Sequence, residues 1–158
     1  MDGDDEVLQS FCADEQPAIE ELLAVVGGEA RKHLDFSPES LTLLDAWVLN
    51  ITSESDWAAS DIWQVFGIHD RLPRWIELRC AYYFAAVLRK RFGGEWTMYE
   101  DPQKEGFVRP FFGIGDTLVD ALRVGHEIVA GELPEGLAGF SSEVTRRLHM
   151  KGSGGSIA

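Results

Sequence analysis

Apolar residues crowd the stretch from Leu72 to Phe92 with a helical spacing, and no plainly polar face interrupts them. Ile76, Cys80, Tyr83, Phe84, Val87 and Leu88 fall on one arc at about 100° per residue, which marks them as core. The opposite arc holds Trp75, Leu78, Tyr82, Ala85 and Ala86 among Arg79 and Arg89. Leu72-Pro73 suits a helix start, because proline fits the first helical position. Phe92-Gly93-Gly94 suits a stop, with Arg89, Lys90 and Arg91 at the negative end of the macrodipole. The pattern changes after Gly94. Residues 95–100 alternate with a strand period, 101–106 read as a loop, and 107–112 read as a second strand. Pro110 points to an edge position or a bulge. Gly113 to Asp116 makes a tight turn, and Thr117–Val119 completes a three-stranded antiparallel meander.

Helical patterns flank this centre. Val7, Leu8 and Phe11 are spaced for a short helix. Pro17 opens another, with Ile19, Leu22, Leu23 and Val26 inward, and Gly27-Gly28 ends it. Ser37-Pro38-Glu39 reads as a cap and first turn, leading a helix through residue 51. A further helix is expected near 56–66. Asp120 caps one that runs to about Gly131, and a last helix covers about 136–149. The fold expected is α+β, with four to six helices around a small antiparallel three-stranded sheet at about residues 95–119. Residues 1–150 read as a single domain with an acidic N-terminal helical arm, and 151–158 as a flexible Gly/Ser tail.

Charge changes the picture. The chain of 158 residues carries 27 acidic and 14 basic side chains, a formal net charge of −13. That field opposes nucleic-acid binding, which needs a basic footprint, and it opposes an anionic membrane surface. It suits a basic protein partner, and it also serves solubility alone. Residues 71–91 run against the trend, with Arg71, Arg74, Arg79, Arg89, Lys90 and Arg91 against Glu77. This run can grip an acidic partner or a phosphate, or neutralise acidic helices packed beside it, the acidic arm included. The N-terminus lacks a basic region followed by an apolar run, no stretch reaches transmembrane length, and Cys12 and Cys80 stand far apart. The expected setting is cytoplasmic with reduced thiols.

Motifs for chemistry are weak. His126-Glu127 resembles the start of the zinc-protease pattern, but position 130 is alanine where the second imidazole should stand. The four histidines share no metal-ligand spacing and no Cys-x-x-Cys pair exists, so neither a metal nor a cofactor is expected. Gly113-x-Gly115 is too short for a phosphate-binding loop.

Trp75, Arg79, Tyr82 and Arg89 form one candidate partner-binding face, joined by Asp56, Trp57 and Asp61, because Trp, Tyr and Arg carry much interface energy. The competing reading is a central helix covered on both sides, the commoner fate of a helix apolar all round. Three functions compete. The preferred one is a non-enzymatic acidic protein-binding module, a bacterial inhibitor of the immunity or antitoxin type that occludes a basic partner. The second is an enzyme or small-ligand binder with a cleft between the central helix and the sheet, using Arg79, Trp96, Tyr99 and Asp116. The third is a secretion chaperone or scaffold component.

The blocks LDFSPESLTLLDAW (34–47), YYFAAVLRKRFGGEW (82–96) and VDALRVGHEIVAGE (119–132) occur in an order that resembles a bacterial family of uncharacterised domains. The resemblance spans residues 34–132, and its most specific part is the Leu-Arg-Lys-Arg-Phe-Gly-Gly-x-Trp block. It implies a small bacterial cytoplasmic protein and carries no catalytic residue. Tyr83-Phe84-Ala85 departs from it, where a glycine-containing turn of helix is expected. A ligand groove at that place in relatives would be filled here.

Overall fold

The computed structural model describes residues 3–53 and 72–152. The expected helix near 56–66 lies outside them. The described residues form six helices and a three-stranded antiparallel sheet, an α+β, mostly helical fold. The order is α1 (Gly3–Val26), α2 (Gly28–His33), α3 (Ser40–Thr52), α4 (Leu72–Phe92), β1 (Glu95–Glu100), β2 (Val108–Ile114), β3 (Thr117–Val119), α5 (Ala121–Ala130) and α6 (Gly136–Gly152).

The centre is α4, with both ends where Pro73 and Gly93 predict them. Its expected core arc is buried throughout, and so are Trp75, Tyr82 and Ala85 on the other side. The helix is therefore covered all round, by α1 on one side and by α5 and α6 on another. The α4–α5 contact is close. A Cβ on Gly125 would stand 2.3 Å from the Glu77 carbonyl oxygen and 3.2 Å from the Ala81 backbone. Only glycine lets the two backbones meet there.

Two sequence expectations need correction, and one element was not foreseen. The N-terminal arm is one helix, not two, and Pro17 lies inside it. Proline removes the N–H that would bond to Ala13. Both residues are exposed, so water can take the freed carbonyl and the helix continues. Residues 28–33, where no element is predicted, form the short helix α2. The third helix begins as a tighter turn. The Ser37 hydroxyl accepts the Ser40 N–H at 3.2 Å, as a cap should, but Ser37, Pro38 and Glu39 carbonyls bond three residues ahead. The α-helical run therefore opens at Ser40.

The corner before α3 is fixed on α4. Tyr83 Oη accepts the Phe36 N–H at 3.1 Å and lies 2.8 Å from the Ser40 hydroxyl. Phe36 stacks on the Tyr83 ring at 5.0 Å and holds a left-handed backbone, φ 66°. On the far side of α3, the Asp45 carboxylate caps α6 by accepting the Leu137 and Ala138 N–H groups at 2.8 and 3.1 Å. That tertiary cap starts α6, which then extends to Gly152.

The strands match their expected order, with β2 in the middle. Pro110 thus sits in the central strand, and its local setting explains why. The Asp101 N–H donates to the Phe107 carbonyl at 2.7 Å. Alternation along the ladder makes Met98–Pro110 a pair without mutual hydrogen bonds. The proline nitrogen faces the β3 side, and β3 pairs only with Phe112 to Ile114. The strand is an edge at that residue. Gly94 turns α4 into β1 with φ 104°, and a Cβ there would lie 2.6 Å from the Gly113 carbonyl oxygen.

Candidate functional site

The sequence-predicted face on α4 lies beneath α1. Tyr82 donates its hydroxyl to the Phe11 carbonyl at 2.6 Å. Phe11 packs 4.7 Å from the Tyr82 ring and 4.8 Å from Trp96, which in turn meets Phe112 at 5.5 Å. Glu15 closes the cluster: its carboxylate accepts both Arg89 terminal nitrogens and the Trp96 indole N–H, the last at 2.7 Å. Burial, with Asp14 and Glu15 nearby, pushes the Tyr82 phenol well above its usual range. The Glu15 hydrogen bond raises the Arg89 guanidinium further. Arg79 lies 4.2 Å over the Trp75 ring and reaches Glu21 at 3.2 Å. Two cations of the basic run are thus paired with acids of the arm, and Lys90 donates to the Asp35 carbonyl. Asp56, Trp57 and Asp61 lie outside the described residues.

The four groups of the expected cleft are not brought together. Trp96 and Tyr99 differ by an odd number of strand positions and point to opposite faces of the sheet. Trp96 is buried under α1 while Tyr99 is exposed, and Arg79 stays on α4 with Glu21.

The face of the sheet away from α1 presents a different arrangement, one that no sequence motif announced. Strand alternation and register put Glu95, Thr97, Tyr99 and Asp101 on one strand beside Phe107, Arg109, Phe111 and Gly113 on the next, with Leu118 and Asp120 beyond. Arg109 ties the row together. Its Nε donates to Asp101 at 2.9 Å, and its two terminal nitrogens donate to Asp120 at 2.7 Å each. The guanidinium stacks 4.3 Å over the Phe111 ring. Hydrogen bonds to Asp120, then Asp101, raise the Arg109 guanidinium above its already high range. The Gln103 N–H and Arg109 hold the Asp101 carboxyl below the usual carboxylate range. Phe111 is covered, but Tyr99 at 56%, Phe107 at 44% and Leu118 at 40% remain exposed.

Beside Arg109, between the β1–β2 loop and α5, a cleft of about 400 Å³ opens. Asp101, Asp120, Glu127 and Glu132 face it, against Arg109, Arg123 and His126, and Leu122 supplies an apolar wall. His126 Nδ1 stands 3.0 Å from Glu77 Oε1. Arg123 pairs with Glu127 at 2.7 Å. Among the described residues no group of three or more His, Cys, Asp and Glu is placed to hold a metal ion, and no helix is long and apolar enough to cross a membrane.

No protein-family model, curated protein or solved structure matches the chain. The resemblance over residues 34–132 therefore rests on its motifs alone.

Proposed function

We propose that this chain is a non-enzymatic, acidic protein-binding module, an inhibitor of the immunity or antitoxin type that acts by occluding a basic partner. The carrying observation is the outer face of the sheet. Tyr99, Phe107 and Leu118 are exposed together on one side of the paired meander. Aromatic side chains on a fixed scaffold supply contact area at small entropic cost. The exposed acids Glu95 and Glu105 lie on the same strand and on the loop that follows it. In a chain of net charge −13, they favour a basic surface and speed its encounter.

This reading places the contact on the sheet and leaves the α4 face to α1. A partner could reach Tyr82, whose hydroxyl bonds to Phe11 of α1, only by displacing that helix.

The test is co-isolation from the native host, comparing the wild type with Tyr99→Ser/Phe107→Ser. A single stoichiometric basic partner that is retained by the wild type and lost by the variant is expected, with circular dichroism unchanged. Recovery of no partner, of an acidic one, or of equal amounts with both forms overturns the reading.

A further inference from the structure

We infer that the cleft between the β1–β2 loop and α5 receives a long basic side chain, arginine or lysine, projecting from the protein partner. The inference rests on the proposed function and specifies how its partner is recognised.

The cleft holds four carboxylates against two guanidiniums and one imidazole. Its internal pairing does not cancel the excess. Arg109 is shared between Asp101 and Asp120, and Arg123 is taken by Glu127. Glu132, exposed at the rim, has no ion pair among the described residues. A cation entering here meets acceptors that lack a full complement of positive charge.

The shape suits the same ligand. Leu122 lines the wall and is only partly buried. The methylene stem of arginine or lysine can lie on such a wall while its charged head reaches carboxylates. Asp101 and Arg109 belong both to the cleft and to the outer face of the sheet. A partner seated on Tyr99 and Phe107 would therefore have the cleft at its margin.

The test is an NMR titration of the full chain with N-acetyl-arginine amide, N-acetyl-lysine amide and N-acetyl-citrulline amide at constant ionic strength. Citrulline keeps the shape of arginine and removes its charge. Saturable shifts at the Arg123, His126 and Glu132 amides are expected with the two cations and not with citrulline. Glu127→Gln/Glu132→Gln should weaken that binding about threefold to tenfold, since a single charge at or near the surface contributes modestly. Equal binding of citrulline, or equal shifts along the exposed acids Asp5, Glu6 and Asp14 of α1, would overturn the inference.

The same double variant is then put through co-isolation. Loss of the partner with Tyr99→Ser/Phe107→Ser, together with full retention by Glu127→Gln/Glu132→Gln, removes the cleft and leaves the binding reading standing. Retention by both variants removes both.

Discussion

The two sides of α4 are held by different physics. Against α5 the backbones almost touch, at Gly125 and the Glu77 carbonyl, with Ala81 alongside. Against α1 the space is filled by long side chains: Phe11, Tyr82, Trp96, and the Glu15–Arg89 pair. The first side depends on the absence of atoms, and the second on their identity. A close contact gains dispersion and excludes water without asking anything of charge. A contact built from aromatics and ions needs each polar tip matched, because a stranded donor or carboxylate costs more than a lost contact.

The largest effect should come from filling the close side. Gly125→Val forces side-chain carbons into the Glu77 carbonyl. A loss of about 3 kcal/mol is expected, lowering Tm by roughly 6–12 °C for a chain of this size; thermal unfolding by circular dichroism reads it. A loss below the cost of an ordinary glycine substitution would mean that the helices can separate cheaply.

On the other side, Glu15→Ala strands the Arg89 guanidinium and the Trp96 indole at once. A loss of about 2 kcal/mol is expected from urea unfolding. Glu15→Gln should lose less, since it keeps an acceptor for Trp96. Equal losses would mean that charge, not the hydrogen bond, holds α1.

Next comes alkaline pH. Burial pushes the Cys80 thiol far above its ordinary 9.0, with Asp45 and Glu77 adding to the shift. The folded chain thus keeps the proton that the unfolded chain gives up. The stabilisation is fully present below about pH 9 and is lost as pH rises beyond it. By pH 10 the wild type should have lost on the order of 1 kcal/mol relative to Cys80→Ala, measured as the gap between their unfolding free energies at pH 7 and 10. A gap that stays constant would show that the thiol meets water in the folded state.

The smallest effect should be Glu21→Gln. Its pair with Arg79 is half exposed on the acid's side, so less than about 0.5 kcal/mol is expected. A larger loss would extend the demanding part of the α1 contact beyond Glu15.

The α4 helix was legible because its start, stop and periodicity agree, and its apolar back face already pointed to burial on both sides. The arm was misread at Pro17, since proline suits a first turn as well as an exposed mid-helix position, and only the solvent around Ala13 decides between them. Pro110 points to an edge position or a bulge, and the edge is what the fold supplies locally, although its strand is central. β3 is simply too short to reach it. Arg109 escaped notice because its partners, Asp101 and Asp120, lie in a loop and at a helix cap. Nothing but the register of the hairpin brings them to one guanidinium. The same holds for Tyr99, Phe107 and Leu118, which are unremarkable singly and share a face only once the strands are paired.

The Arg109 bridge has a kinetic consequence. With carboxylates on both flanks of its single guanidinium, the middle of the sheet's outer face keeps a net negative charge, and further acids stand around it and on α1 to extend that field. Added salt screens that field within about 8 Å at physiological strength. It would slow the approach of a basic partner and leave the seated aromatics untouched. Ionic strength should therefore be read in kon, and lesions at Tyr99 and Phe107 in koff.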